Sequence, residues 1–334
     1  MKVRKATSMR NTETAPARIS PALPAPPAVI AYRKNAKAAN TWAAYKQDWQ
    51  AFSDWCNARA LAPLAAPSSA VCEYLAEQAG RLKASSLERQ LAGIGQAFTA
   101  ANLPNPCRGP QVREVLKGIK REQAAQAAEE SRPVTRKAKA ATADVLALMV
   151  HALPESPAGL RDRALLTLGM AGGFRRSELV GLNVADLEST PEGLLVTVRQ
   201  SKTDQEGKGI SKPIAFGRGA TCPVRALRAW LKEAGITAGP VFRGIDRWGQ
   251  VQAGRLTGAG AALAIKRAAA GAGLDPEGFS GHSLRRGMAT QAGRAGAQGY
   301  DIMRLGGWKS ERIVNGYIAE GRVWQNTAVY SLGL

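Results

Sequence analysis

Two short stretches each set a cation and a partner three residues apart: Arg175 and Glu178 in GGFRRSELVGL, and His282 and Arg285 in GHSLRRGMAT. On a helix, that spacing puts both members of a pair on one face. Arg175 can therefore pair with Glu178. It also shares a face with Leu179 and Leu182, and an arginine turned toward a core normally has a specific anion to meet. Spacing alone prefers Arg175 only weakly over Arg176. His282 and Arg285 stand at a helix start, where backbone N–H groups favour anions, so both can point at one ligand. A capping histidine beside a surface arginine fits the same pattern.

Three more side chains add chemistry of other kinds. Lys202 lies in the turn-forming stretch RQSKTDQEGKGISK, where Lys208 and Lys212 compete with it for any role. Trp308 offers an apolar plate and a single N–H donor. Tyr317 follows it in GGWKSERIVNGYIAEG, on a short helical stretch where a tyrosine more often fills a core or an interface than reacts.

Elements must bring these residues together from across a chain of 334 residues, long enough for two ordinary domains. Residues 1–30, with PALPAPPAV, read as an extended or disordered basic arm. From about residue 36 to 58, Trp42, Tyr45, Trp49, Phe52 and Cys56 recur at helical spacing as one apolar stripe. Ser68 is placed to cap a second helix carrying Val71, Tyr74, Leu75 and Leu82 inward. SSLERQLAGIGQAFTAANL and QVREVLKGIKREQAAQAAEE supply a third and a fourth. The first domain is thus expected over 31–128, all helical, with a basic linker over 129–142 in which Pro133 breaks any helix. A second domain over 143–334 reads as helical apart from GLLVTVRQSKTDQEGKGISKPIAF, a β-hairpin with Lys202 near its tip. No internal repeat is evident.

Lysine and arginine total 46 against 26 acidic residues, a net charge of +20, which points to a polyanionic partner, nucleic acid before an anionic membrane. The four cysteines form no CxxC pair and only two histidines occur, so neither a disulfide framework nor a metal cluster is expected, and a reducing cytoplasm fits best. No apolar run approaches the roughly 20 residues that span a bilayer, and the first 20 residues carry no apolar segment of a secretory signal.

Taken in order, Arg175, Lys202, His282, Arg285, Trp308 and Tyr317 resemble the tyrosine recombinases, the phage integrase family. FRRSELVGL resembles that family's first arginine motif, HSLRR its His-x-x-Arg motif and GGWKSERIVNGYI its tyrosine motif, while NTWAAYKQDWQAFSDWC is similar to the opening helix of its core-binding domain. The resemblance spans about 36 to 325 and is nearest to the Cre type, because Trp308 stands where most members have histidine; that departure leaves a donor role intact and speaks against an acid–base role at that position.

The resemblance implies a mainly α, two-domain architecture: a helical core-binding domain, and an α-rich catalytic domain with a small antiparallel sheet. It implies conservative site-specific recombination of duplex DNA at inverted-repeat half-sites, through a 3′-phosphotyrosyl intermediate and a Holliday junction held by four protomers, two per site. Arg175 and Arg285 would clamp the non-bridging oxygens of one phosphate, with His282 and Trp308 donating to it. Tyr317 would attack, Lys202 would protonate the departing 5′-oxygen, and Glu178 would hold Arg175 or the His282 region. No metal or other cofactor is implied, and the last helix would dock in a neighbouring protomer. Arg81, Lys83, Arg89, Lys117, Lys266 and Arg267 are candidate DNA contacts, and the enzyme would act in the cytoplasm, on nucleoid DNA. A type IB topoisomerase and a catalytically silent DNA-binding protein are the competing readings.

Overall fold

A computed structural model describes residues 32, 36–130, 138–199, 209–325, 330 and 332. The chain divides into two compact units between Val134 and Thr135.

The first unit is built from four helices, α1 (Ala39–Asn57), α2 (Ser68–Ala79), α3 (Ala84–Ala100) and α4 (Pro110–Glu129). Its core is aromatic at the centre. Phe52 stacks on Trp55 with ring centroids 6.1 Å apart, and Tyr74 meets Phe52 edge-on at 5.2 Å. The buried line of α1 runs through Asp48, Phe52, Trp55 and Cys56, so the apolar stripe extends to Trp55, which periodicity had left out, while Trp42 and Tyr45 are only partly covered. Asp48 is tolerated inside because Arg89 of α3 pairs with it at 2.8 Å. Ser68 does not cap α2. Pro67 holds the cap position, and the Ser68 hydroxyl donates instead to the Pro106 carbonyl at 2.8 Å, tying α2 to the turn before α4.

The second unit carries α5 (Ala143–His151), α6 (Pro157–Ala171), α7 (Arg176–Gly181), β1 (Leu187–Thr190), β2 (Gly193–Val198), β3 (Ile210–Ala215), α8 (Pro223–Glu233), β4 (Arg243–Ile245), β5 (Val251–Arg255), α9 (Gly258–Gly271), α10 (Gly281–Arg294), α11 (Gly299–Gly306) and α12 (Glu311–Gly321). Helix α6 is buried around most of its circumference, with Leu165, Leu166 and Leu168 fully covered, as a central helix must be. The strands form an antiparallel sheet in the order β1-β2-β3, and β4 pairs with β5 in a separate hairpin. Strand alternation gives the sheet one core face, on which Leu194 pairs with Ile214, Val196 with Lys212, and Val198 with Ile210. The expected hairpin is β2–β3; its connection, including Lys202 and Lys208, falls outside the described residues.

Two glycines shape the turns that matter below. Gly173 has φ +54° and follows α6; Gly307 has φ +68° and closes α11 in the left-handed conformation, both readily adopted without a Cβ.

Candidate active site

Four segments converge: the turn between α6 and α7, the start of α10, the turn between α11 and α12, and α12 itself. Arg175 holds the cap position of α7. Its Nη1 donates to Glu178 Oε1 at 2.6 Å, and its own backbone N–H donates to Glu178 Oε2 at 2.9 Å. Glu178 is almost wholly buried, whereas Arg175 keeps about a fifth of its side-chain surface (21%) exposed, so the carboxylate is the fixed partner and the guanidinium the presented one. Nη2 of Arg175 also reaches the Gly307 carbonyl at 3.3 Å.

Arg285, one turn into α10, is buried. Its Nη1 donates to the carbonyls of Gly173 at 2.6 Å and Gly306 at 2.5 Å, joining the α6–α7 turn to the α11–α12 turn. Its guanidinium carbon sits 3.9 Å from the centre of the Trp308 ring, a cation–π contact that stacks the two side chains. Burial, and then the neighbouring Arg175, lower its pKa to about 10. It stays charged at neutral pH, but in a position where a second cation is close and an anion would be welcome.

Trp308 lies 5.9 Å, ring to ring, from Tyr317. Tyr317 is half-buried on α12, and its hydroxyl is 3.2 Å from His282 Nε2. His282 opens α10, where the Ser280 hydroxyl accepts its backbone N–H; Ser280, not His282, is the cap. Partial desolvation, with the charges of Arg285 and Arg286, pushes the His282 imidazolium below its ordinary range, so the neutral ring predominates at neutral pH. His282 and Tyr317 border an open groove of about 560 Å³ together with Arg286 and Arg312.

The structure thus brings together Arg175, Glu178, His282, Arg285, Trp308 and Tyr317, separated by up to 142 positions in sequence (317 − 175). Glu178 engages Arg175, not the His282 region. One positioning residue was not anticipated. Arg286 pairs with Glu320 at 2.6 Å and donates to the Ala138 carbonyl at 2.5 Å, fastening α10 to α12 and so His282 to the helix of Tyr317. Its place in HSLRR, next to Arg285, was the only sequence signal.

The candidate DNA contacts fare unevenly. Arg81, Lys83 and Lys117 are exposed. Arg89 is spoken for by Asp48, Lys266 by Glu277 at 2.7 Å, and Arg267 approaches Asp162 at 3.8 Å. Among the described residues no group of three or more His, Cys, Asp or Glu could hold a metal ion.

Chemically, the arrangement groups a phenolic oxygen, an imidazole and a tryptophan with two guanidinium groups. Such a set can bind a tetrahedral anion and present one nucleophile to it. Comparison with known proteins points the same way. Residues 139–322 match the phage integrase family. The chain is 37% identical over 300 residues to the integrase/recombinase XerD homologue of Selenomonas ruminantium, covering 89% of this chain and 86% of that protein. It is 24% identical over 294 residues to recombinase Cre of Escherichia phage P1, covering 84% and 83%. In fold it resembles a lambda integrase tetramer bound to a Holliday junction, with a TM-score of 0.60 at 20% identity, over 90% of this chain and 78% of that one. It also resembles the XerH site-specific recombinase in its post-cleavage complex, with a TM-score of 0.59 at 14% identity, over 87% and 79%.

Proposed function

The chain belongs to the phage integrase family and is a site-specific tyrosine recombinase, an enzyme that transfers DNA strands; from that premise we propose that Tyr317 is its nucleophile and that Arg175 and Arg285 clamp the phosphate it attacks. The observation that carries the reading is the 3.2 Å approach of the Tyr317 hydroxyl to His282, on a site floored by Arg285 and Trp308. Tyr317 gives up its phenolic proton to His282 or to water, and its oxygen forms a bond to phosphorus as the bond to the 5′-oxygen breaks. Charge grows on the non-bridging oxygens, and fixed guanidinium forks offset it without reorganisation. Arg285 spends Nη1 on the two carbonyls, and the rest of its fork would meet the phosphate. His282 and the Trp308 N–H donate to the same group. Lys202 gives the leaving oxygen its proton. The phosphodiester energy is retained in the 3′-phosphotyrosyl link, so the reaction needs no nucleotide, and the fixed guanidinium groups take the charge-neutralising part that a metal would otherwise play.

We assign the chain a matching division. A basic, proline-rich arm (1–30) precedes a helical DNA-binding domain (31–128), a basic linker (129–142) and the catalytic domain (143–334). Arg81, Lys83 and Lys117 are exposed on the first and are the better candidates for DNA contact; Arg89, Lys266 and Arg267 would first have to leave their carboxylates. The partner is duplex DNA carrying inverted half-sites, with two protomers per site and four in the Holliday junction. The described helices contain none long and apolar enough to cross a membrane. An enzyme acting on bacterial DNA would work on the nucleoid in the cytoplasm.

The test is Tyr317→Phe, which removes one oxygen. DNA binding is expected to persist within a few-fold, with the covalent protein–DNA complex absent. A two-site recombination assay run beside a supercoil-relaxation assay separates recombination from a relaxing enzyme.

A further inference from the structure

Lys212 occupies a place where an apolar residue is expected. It lies on the core face of β3 between Ile210 and Ile214, opposite Val196, and it is 1% exposed. Burying an ammonium there is costly unless it is hydrogen-bonded. It is: Nζ donates to the Gly172 carbonyl at 2.9 Å and to the Leu305 carbonyl. It also lies 5.0 Å from the centre of the Phe174 ring.

Those two carbonyls form part of a pattern. Leu305, Gly306 and Gly307 are consecutive, and their carbonyls are taken in turn by Lys212, Arg285 and Arg175. On the other side, Gly172 and Gly173 are taken by Lys212 and Arg285. Three cations from three elements thus stitch the turn that carries Arg175 to the turn that carries Trp308. Two of those cations belong to the proposed phosphate clamp. The third arrives from the sheet, on the strand that follows the segment of Lys202.

We infer that Lys212 is a positioning residue for strand cleavage: it locks the Arg175 turn and the Trp308 turn to one another and to the β2–β3 hairpin, so that the clamp and the hairpin hold a common geometry. This rests on the reading of Arg175 and Arg285 as the clamp. Lys212 does not serve as the acid in place of Lys202, because its ammonium is buried and directed at backbone carbonyls. Its burial, with Arg285 and Arg175 nearby and only Glu178 opposing them, lowers its pKa to about 8, which fits a group held in place for geometry against the preference of its charge. A positioning defect of the order of 1 Å costs about 10²-fold in rate.

The experiment compares Lys212→Met and Lys212→Arg with the wild-type chain, under single-turnover conditions with DNA saturating. Covalent complex formation is followed on a normal duplex and on one whose leaving group is a 5′-sulfur, alongside DNA affinity and thermal melting. Lys212→Met is expected to bind DNA within a few-fold of wild type. Its cleavage should fall by about 10²-fold, equally on both substrates, since neither substrate repairs the clamp. Lys212→Arg, which can still donate to two carbonyls, is expected to recover much of the rate, and it carries the test should the methionine variant fail to fold. Undiminished cleavage in Lys212→Met overturns the proposal. So does rescue by the 5′-sulfur, which would make Lys212 the acid, and so does a loss confined to DNA affinity. So, too, does an arginine variant that folds and binds but cleaves no faster than the methionine variant. Tyr317→Phe, run in parallel, reports on the underlying reading: if it still links to DNA, the site itself is misassigned, whereas a dead Tyr317→Phe beside a fully active Lys212→Met removes only the positioning role.

Discussion

At the scale of single residues, the proposed chemistry divides between one nucleophile, one acid and several fixed donors. The acid is the part that a leaving-group substitution isolates. Lys202→Ala is expected to slow cleavage of normal DNA by roughly 10²–10⁴-fold, and a 5′-sulfur leaving group, which needs no proton, should restore most of the rate. Equal losses on both substrates would refute the acid role and turn attention to Lys208. Lys212 makes a different prediction, about stability. Its pKa is about 8 in the folded chain against an ordinary 10.5. Between those values the unfolded chain binds a proton that the folded chain has released, so stability rises with pH across that window and its penalty is fully present below it. A shift of that size corresponds to about 3 kcal/mol, and the pH-dependent gain should be missing from Lys212→Met when unfolding midpoints in denaturant are compared from pH 7 to 10. An identical pH slope in both proteins would contradict it. Lys212 also shows what sequence could have yielded and did not. In ISKPIA, alternation puts Ile210, Lys212 and Ile214 on one face, so a buried lysine is legible there, but the turn-rich stretch before it offers two more lysines that compete for the same notice.

At the scale of elements, the site depends on turns that leave no room. A Cβ on Gly306 would lie 1.9 Å from the Trp308 ring. Gly306→Ala gains up to about 1 kcal/mol of helix preference, but the overpacking costs about 1–3 kcal/mol, and the ring that must move is the one stacked on Arg285. We expect a lower melting temperature and a cleavage defect larger than any loss of DNA affinity; a variant that cleaves normally would show that Trp308 is not held where the chemistry needs it. The helices carrying the site were largely legible, because Arg175 with Glu178 and His282 with Arg285 are local pairs at helical spacing. The three-residue register even gave the ion pair, found at 2.6 Å. What was not legible was non-local. Strands β1, β4 and β5 are three to five residues long, too short for alternation to stand out. The Arg286–Glu320 pair joins α10 to α12 across 34 positions, and the carbonyl partners of Arg285 carry no side-chain signature at all. Ser68 misled because a serine after a proline fits a cap, while tertiary contact with Pro106 claimed its hydroxyl.

At the scale of the molecule, the proposed assembly on DNA turns on charge and on the residues after α12. A net charge of +20 predicts affinity that falls steeply with salt as phosphate contacts release counterions, and cleavage that persists in excess chelator; a strict divalent-metal requirement for cleavage would count against the mechanism. Beyond α12, Arg322 donates to the Gly293 carbonyl at 2.7 Å and Gln325 to that of Arg294 at 3.1 Å, while Val323, Trp324 and Leu332 are exposed; Ala328 and Val329 lie outside the described residues. Exposed apolar groups suit a surface that another molecule covers. The proposal that this tail docks in the neighbouring protomer predicts that ending the chain after Arg322 leaves binding to one half-site nearly intact and sharply reduces cooperative filling of a full site, read by gel-shift titration. Undiminished cooperativity would end that idea. The central claim, that this recombinase acts through Tyr317, is tested most directly by trapping the covalent complex on a nicked full site defined by footprinting, digesting both protein and DNA, and locating the nucleotide adduct by mass spectrometry. The account predicts a 3′-phosphate linked to Tyr317 in the peptide containing IVNGYIAEG. An adduct on any other residue, or at a 5′-phosphate, would contradict it.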